Sequence, residues 1–197
     1  SKDAIPRAWT VVEVDVTSLV ALREGAKEEF RRRERANITY VPFVIVAVAG
    51  SLKEFPLLNS VWGEDRIILK KEINIGVAVD TGQGLVVPVV HQADRKSIAS
   101  LAKEVDALAE KAREGKLALA DVQGGTFTIN NSGAFGSIIS LPLVNYPQVA
   151  IINMEAIVKR PVVVNDAIAI RSMMNLCVSF DHRVLDGAIV GRFLQSV

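Results

Sequence analysis

The sequence predicts an α/β fold: a single domain built as a two-layer sandwich with a mixed sheet. Three observations carry this. Short runs rich in Val and Ile recur from Val11 to Phe180. Between them lie segments whose apolar residues fall at helical spacing, most clearly over 97–115. No G-x-G-x-x-G turn follows the first strand, which argues against a dinucleotide-binding sheet.

Taken in order, residues 1–6 read as a linker end or arm. Val11 to Val16 alternates apolar and polar residues, as a half-exposed strand does. Thr17 or Ser18 is a candidate cap for a helix reaching about Arg35, with Leu19, Leu22, Ala26 and Phe30 on its buried side. Arg31, Arg32, Arg33 and Arg35 crowd its last turns, where cations complement the helix dipole; a phosphate contact is the other reading. Tyr40 to Leu52 predicts a core helix, with Pro42 in its first turn and cover needed on all sides. Strands are expected over 66–69, 73–80 and 85–90, with Thr81-Gly82-Gln83-Gly84 as the turn between the last two.

Ser97 is placed to cap a helix ending at Gly115, with Ile98, Leu101, Ala102, Val105, Leu108, Ala109 and Ala112 on one face. A loop over 121–125 and a short strand over 126–130 follow. A Gly- and Ser-rich turn runs through Ser137, and strands over 149–153, 162–164, 167–171 and 173–180 complete the set.

Composition narrows the function classes. Lys and Arg total 23 against 22 Asp and Glu, so no global charge favours nucleic acid or an acidic membrane. The apolar stretch over 40–52 is about half to two-thirds of what spans a bilayer. Cys177 is the one cysteine, so no internal disulfide is possible and a reducing compartment is the simpler expectation. Two histidines far apart and one cysteine offer no metal-ligand cluster, so no metal is expected.

Chemistry concentrates in Ser179-Phe180-Asp181-His182-Arg183-Val184-Leu185-Asp186-Gly187-Ala188. A buried strand precedes it and a helical pattern follows, so the segment joins two rigid elements. Two readings are open for His182: a structural residue beside a turn in which Asp186 merely caps the next helix, or a general base.

The run D-H-R-V-L-D-G-A resembles the active-site signature of the dihydrolipoyl acyltransferases, the catalytic cores of 2-oxo acid dehydrogenase complexes. The similarity extends in order through Asn74 to Asp80, Gly84 to Val89, Ala93 to Ser97, Gly124 to Ile129, Phe135 to Ser137 and Asn145 to Gln148. The resemblance implies the chloramphenicol acetyltransferase-like fold. It also implies transfer of an acyl group from S-acyl-dihydrolipoamide to coenzyme A. The lipoyl group would ride on a separate domain, and the lipoyl and peripheral-subunit-binding domains would lie outside residues 1–197.

In that reaction a thiol must lose its proton as it attacks, and His182 is the implied base. A donor must then meet the oxyanion. The family supplies a Ser or Thr hydroxyl at the position of Asn130; here an asparagine amide would have to donate instead. Asn131 and Asp80 fall at positions implied to bind substrate, Asp80 toward coenzyme A. Both also have plain turn-forming readings. Asp186, four residues after His182 at a helix start, reads as fixing the active-site loop, with Arg183 as its partner or paired with another subunit.

The resemblance further implies a homotrimer with the active site shared between subunits, trimers joined into a hollow cage, and decarboxylase and dihydrolipoyl dehydrogenase partners. It implies a cytoplasmic location, or the mitochondrial matrix in a eukaryote. The family continues for a short stretch past the position of Val197 that packs between trimers, so a chain ending there is expected to trimerise with a weakened cage. A second function class is a structural core of the same assembly impaired in catalysis, which the asparagine at 130 would favour. The acyl group, whether acetyl, branched-chain or succinyl, is not legible in these motifs.

Overall fold

The computed structural model describes residues 6–197; the arm expected over 1–6 lies, apart from Pro6, outside the described residues. In order the elements are β1 (Arg7–Asp15), α1 (Thr17–Glu34), α2 (Val41–Glu54), β2 (Ser60–Gly63), β3 (Arg66–Leu69), β4 (Ile75–Val77), β5 (Val79–Asp80), β6 (Leu85–Val86), β7 (Val89–Val90), α3 (Ile98–Arg113), the single turn α4 (Leu119–Val122), β8 (Phe127–Asn131), β9 (Ala150–Met154), β10 (Val158–Val164), β11 (Ala167–Asp181) and α5 (Gly187–Ser196).

The main sheet has the order β1-β11-β9-β8-β4-β7, with β10 added to β11. β8 runs parallel to β9 and β4, and the other pairs are antiparallel, so the sheet is mixed as expected. Strand alternation sorts its residues onto two faces. Ile75 and Val77, Phe127 and Ile129, Ile152 and Met154, and Leu176, Val178 and Phe180 join side chains of α2, α3 and α5 in one apolar core. The intervening Thr128, Asn153, Glu155, Asn175, Cys177, Ser179 and Asp181 take the other face, and these too are buried. The segment 132–148 covers that face through polar contacts: Asn175 Nδ2 donates to the Ile138 carbonyl, and Thr128 Oγ1 to Gln148 Oε1.

Several elements depart from expectation. No residue of α1 is fully buried: Leu19 packs half-buried against the core and Ala26 and Phe30 are also half-buried, as expected, but Leu22 is 60% exposed, so one chain covers the apolar stripe only in part. Its start is held by Asp15, whose Oδ1 accepts from the backbone and hydroxyl of Thr17. On α2, Val46 reaches solvent, so the helix is not covered on every side. The strand expected over 73–80 divides into β4 and β5, and that over 85–90 into β6 and β7, with Pro88 between the latter pair. Pro88 lacks an N–H for the ladder, yet its carbonyl still accepts from Val77. The two strands expected from Ala167 to Phe180 are one, β11. Ser172 continues it through the junction by accepting from Val16 and donating to Thr17 Oγ1. Ser97 caps α3 as expected, accepting from Ser100.

Candidate active site

β11 passes through the middle of the sheet and ends at Asp181, so its last residues are rigid. Asp181 is 2% exposed. Its carboxylate accepts from Arg183 Nε at 2.9 and 3.2 Å and from Nη2 at 2.6 Å, while Oδ1 also accepts the Arg183 backbone N–H. The fork raises the Arg183 pKa. The guanidinium lies over the Trp62 ring at 4.5 Å. The Asp181 carbonyl accepts from Val184 and Leu185, and the Leu185 side chain is buried. His182 is thus the middle residue of a tight, charge-clamped turn.

The His182 backbone donates to the Pro6 carbonyl, its ring packs near Phe180 at 5.8 Å between centroids, and the residue is exposed. Asp186 caps α5, its Oδ1 accepting from Ile189 at 2.8 Å. Arg183 therefore pairs with Asp181 and not with Asp186, the alternative that sequence spacing had suggested. Trp62 and Asp181 both escaped sequence reading. The D-H-R spacing was a signal for the second; nothing local signalled the first.

Asp80 and Asn131 come together. Both line a cleft of about 350 Å³ between the β4–β5 strand ends, α3 and the start of α2. Val41, Val77, Val79 and Ala109 line it as well, together with Asn37, Thr39, Asp106 and Arg113. Asp80 Oδ1 holds its own turn by accepting from Gly82, and Asn131 Oδ1 accepts from Ala134. Asn130, one residue earlier, is half-buried and faces the polar side of the sheet with Thr128.

His182 and Asn130 do not come together within one chain. Asn130 is level with Asn153 of β9, whereas Asp181 is level with Val149. Four steps of ~3.3 Å along the strand and two strand spacings of ~4.8 Å separate Asn130 from Asp181, roughly 16 Å in all, and His182 is the next residue beyond that strand end. The histidine and the amide lie toward opposite ends of the same sheet.

A buried polar network adjoins Asn130. Glu155, 2% exposed, accepts from Ser140 through Oε1 and from Ser132 through Oε2 at 2.8 Å. Burial pushes this carboxyl up, but hydrogen bonds from Ser140, Ser137, Ser132 and Cys177 outweigh it and hold the group below its ordinary value. Cys177 is buried and raised by desolvation. Asn153 Nδ2 donates to Ser140 Oγ at 2.5 Å. Gly133 rests directly on the Glu155–Ala156 peptide, where a Cβ would meet the Glu155 carbonyl carbon at 2.3 Å. His91 stands apart from all of this, its Nε2 3.1 Å from the Ala120 carbonyl. Among the described residues no group of three His, Cys, Asp or Glu is placed to hold a metal ion, and no helix is long and apolar enough to cross a membrane.

Comparison with known proteins gives a consistent picture. Residues 1–197 match the family described as 2-oxoacid dehydrogenases acyltransferase (catalytic domain). The lipoamide acyltransferase component of the branched-chain alpha-keto acid dehydrogenase complex of Bacillus subtilis is 55% identical over 198 residues, covering 100% of this chain and 47% of that protein. The chain spans about half the length of the curated relatives it matches. The crystal structure of a probable dihydrolipoamide acetyltransferase from Listeria monocytogenes superposes with a TM-score of 0.97 at 53% identity, over 99% of this chain and 83% of that one.

The dihydrolipoamide acetyltransferase of Azotobacter vinelandii, studied for the catalytic role of a serine, a histidine and an asparagine, gives a TM-score of 0.94 at 39% identity, over 98% and 79%. The cubic core of a pyruvate dehydrogenase multienzyme complex also gives 0.94, at 38% identity over 98% and 80%. Chloramphenicol acetyltransferase, at 13% identity and 0.61 over 98% and 86%, shares the fold.

Proposed function

The chain belongs to the 2-oxoacid dehydrogenase acyltransferase family, and on that premise we propose that it transfers an acyl group between dihydrolipoamide and coenzyme A. The observation that carries this reading is the clamped turn, which presents an exposed histidine from the rigid end of a central strand.

The reaction needs little from the protein beyond proton handling and charge stabilisation, since one thioester replaces another. His182 takes the proton of the attacking thiol as its sulfur bonds to the acyl carbon. The carbonyl electrons move onto oxygen, and the amide of Asn130 donates to that oxyanion. Collapse restores the carbonyl and breaks the old carbon–sulfur bond, and the proton on His182 passes to the departing sulfur.

The Azotobacter relative supports these assignments by interval. Its named serine precedes its histidine by the same 52 residues that separate Asn130 from His182, and its asparagine follows the histidine by four, as Asp186 does here. Asp186 holds the α5 end of the turn, while Asp181 and Arg183 hold the ring's backbone. The cleft beside Asp80 and Asn131, apolar within and polar at its rim, suits a slender amide-containing arm such as that of coenzyme A.

Because one chain holds Asn130 roughly 16 Å from the strand end that carries His182, the working site is formed by two copies. The loop carrying exposed Phe135, Ile138, Ile139, Leu141 and Leu143 supports assembly, since a lone chain would leave these side chains in water. A homotrimer built into a larger cage, served by a lipoyl domain and by the decarboxylase and dihydrolipoyl dehydrogenase components, is the arrangement proposed. Lipoyl and peripheral-subunit-binding domains would belong to the rest of the polypeptide, and the bacterial relatives support a cytoplasmic setting. The test is thioester exchange between acyl-coenzyme A and dihydrolipoamide, run with acetyl, branched-chain and succinyl donors. His182→Ala should lower turnover about a hundred- to ten-thousand-fold with the fold intact; undiminished turnover in that variant would remove His182 as the base, and no exchange by the unmodified protein with any of the three donors would make it an assembly core without this catalysis.

A further inference from the structure

Asn130, Asn153 and Cys177 form one row across β8, β9 and β11 on the polar face of the sheet. The middle residue is unusual. Asn153 is 2% exposed, and its amide is fixed one way round. Glu155 can only accept, so Ser140 gives its hydroxyl proton to that carboxylate and its lone pair to Asn153 Nδ2. The other end of the amide, Asn153 Oδ1, is buried and has no hydrogen-bond partner among the described residues. A buried carbonyl oxygen left this way is costly and calls for a donor. Cys177, on one side, offers only a buried thiol, a weak donor. On the other side stands Asn130, in register on a parallel strand, the arrangement in which asparagine amides stack as hydrogen-bonded ladders.

We infer that Asn153 is a positioning residue for the oxyanion donor: its Oδ1 has no partner in the lone chain, and in the working site the neighbouring Asn130 amide turns to give it one Nδ2 proton, leaving the second aimed at the substrate. This rests on the reading of Asn130 as that donor. The chemical need is specific to an amide. A hydroxyl rotates its single proton toward whatever acceptor arrives. An amide can face the oxyanion with its nitrogen, which stabilises it, or with its oxygen, which repels it. The terminal torsion of asparagine is broad and does not choose between them. An acceptor fixed at Asn153 chooses, and the Ser140–Glu155 pair fixes the acceptor. The relay ends in a carboxylate that burial alone would push toward protonation and that its hydroxyl donors keep charged.

The experiment is a double-mutant cycle on the intact assembly, using acetyl-coenzyme A and dihydrolipoamide as the probe reaction, with melting temperature and solution mass as controls. Asn153→Ala should lower kcat roughly tenfold to a hundredfold, the scale of a misaimed group, while KM for both thiols stays within about twofold. Ser140→Ala leaves Asn153 in place and should give the same pattern more weakly; it carries the test if Asn153→Ala folds poorly. In an Asn130→Ser background, where a hydroxyl aims itself, neither change should lower kcat further. Equal losses in both backgrounds would show a structural role only and overturn the inference. So would wild-type kinetics of Asn153→Ala alongside an impaired Asn130→Ala; either result leaves the acyltransfer reading standing. Wild-type kinetics of Asn130→Ala itself would remove the donor assignment, and this inference with it.

Discussion

Asp181 and Arg183 grip each other across the residue between them: two guanidinium nitrogens and the Arg183 backbone N–H all bind one carboxylate that is almost fully buried. His182 has little freedom in its backbone as a result, although its ring is exposed. Stacking on Trp62 extends the clamp to the β2–β3 hairpin.

Arg183→Lys should therefore be far from conservative. Lysine keeps the charge but loses the fork and the planar stack. Arg183→Ala would also leave Asp181 buried without its cation, a loss of about 3 kcal/mol. Thermal unfolding together with kcat should show both variants destabilised and slowed, alanine more than lysine. Asp181→Asn in the Arg183→Ala background should recover part of the stability but not the turnover.

The shared site is testable by mixing. His182→Ala and Asn130→Ala chains, each slow alone, should regain activity when co-refolded or co-expressed, because some interfaces then pair an intact His182 with an intact Asn130. Roughly a quarter of sites would be restored if the chains mix at random in equal amounts and both residues act as the proposed base and donor. Absence of any recovery in mixtures verified by mass would place both residues' work within one chain.

Gly133 has no room for a side chain, since its Cβ position lies against the backbone of Glu155 and Ala156. Gly133→Ala must push the Ser132–Phe135 turn off β9, and with it Asn131, Ala134 and Phe135 in the cleft. Backbone cannot yield as a flexible side chain does, so destabilisation of about 1–3 kcal/mol is expected, as for overpacking. KM for coenzyme A should rise more than KM for dihydrolipoamide.

Glu155 predicts a pH signature. Its folded pKa is depressed, so the stability it contributes is fully present above the unfolded value, about 4.3, and is lost as pH falls through the folded value. Melting temperatures followed from pH 6 to pH 3 should fall more steeply for the wild type than for Glu155→Gln, which cannot titrate there. Parallel curves would mean that Glu155 is not charged in the folded protein.

Much of this protein was legible in its sequence because the relevant signals are local. The cap of Ser97 on α3, the cap of Asp186 on α5 and the passage of a buried strand into a turn at His182 each involve residues within a few positions of one another. The mixed sheet and the motif around the histidine followed from periodicity and from residue order. Other features depend on which strand lies beside which. Trp62 meets Arg183 across 121 positions, and the row from Asn130 through Asn153 to Cys177 exists only because β8, β9 and β11 pair in one register. The same register holds His182 and Asn130 apart. Helix α1 illustrates the opposite case: its helical period was plain, yet the chain half-buries Leu19, Ala26 and Phe30 and leaves Leu22 exposed. Local propensity and capping act over one or two helical turns, whereas register and burial are collective outcomes of packing the whole chain. The sequence by itself therefore determined the fold class and most of the elements and marked the residues proposed to carry the chemistry, and only the tertiary structure decided which of those residues become neighbours.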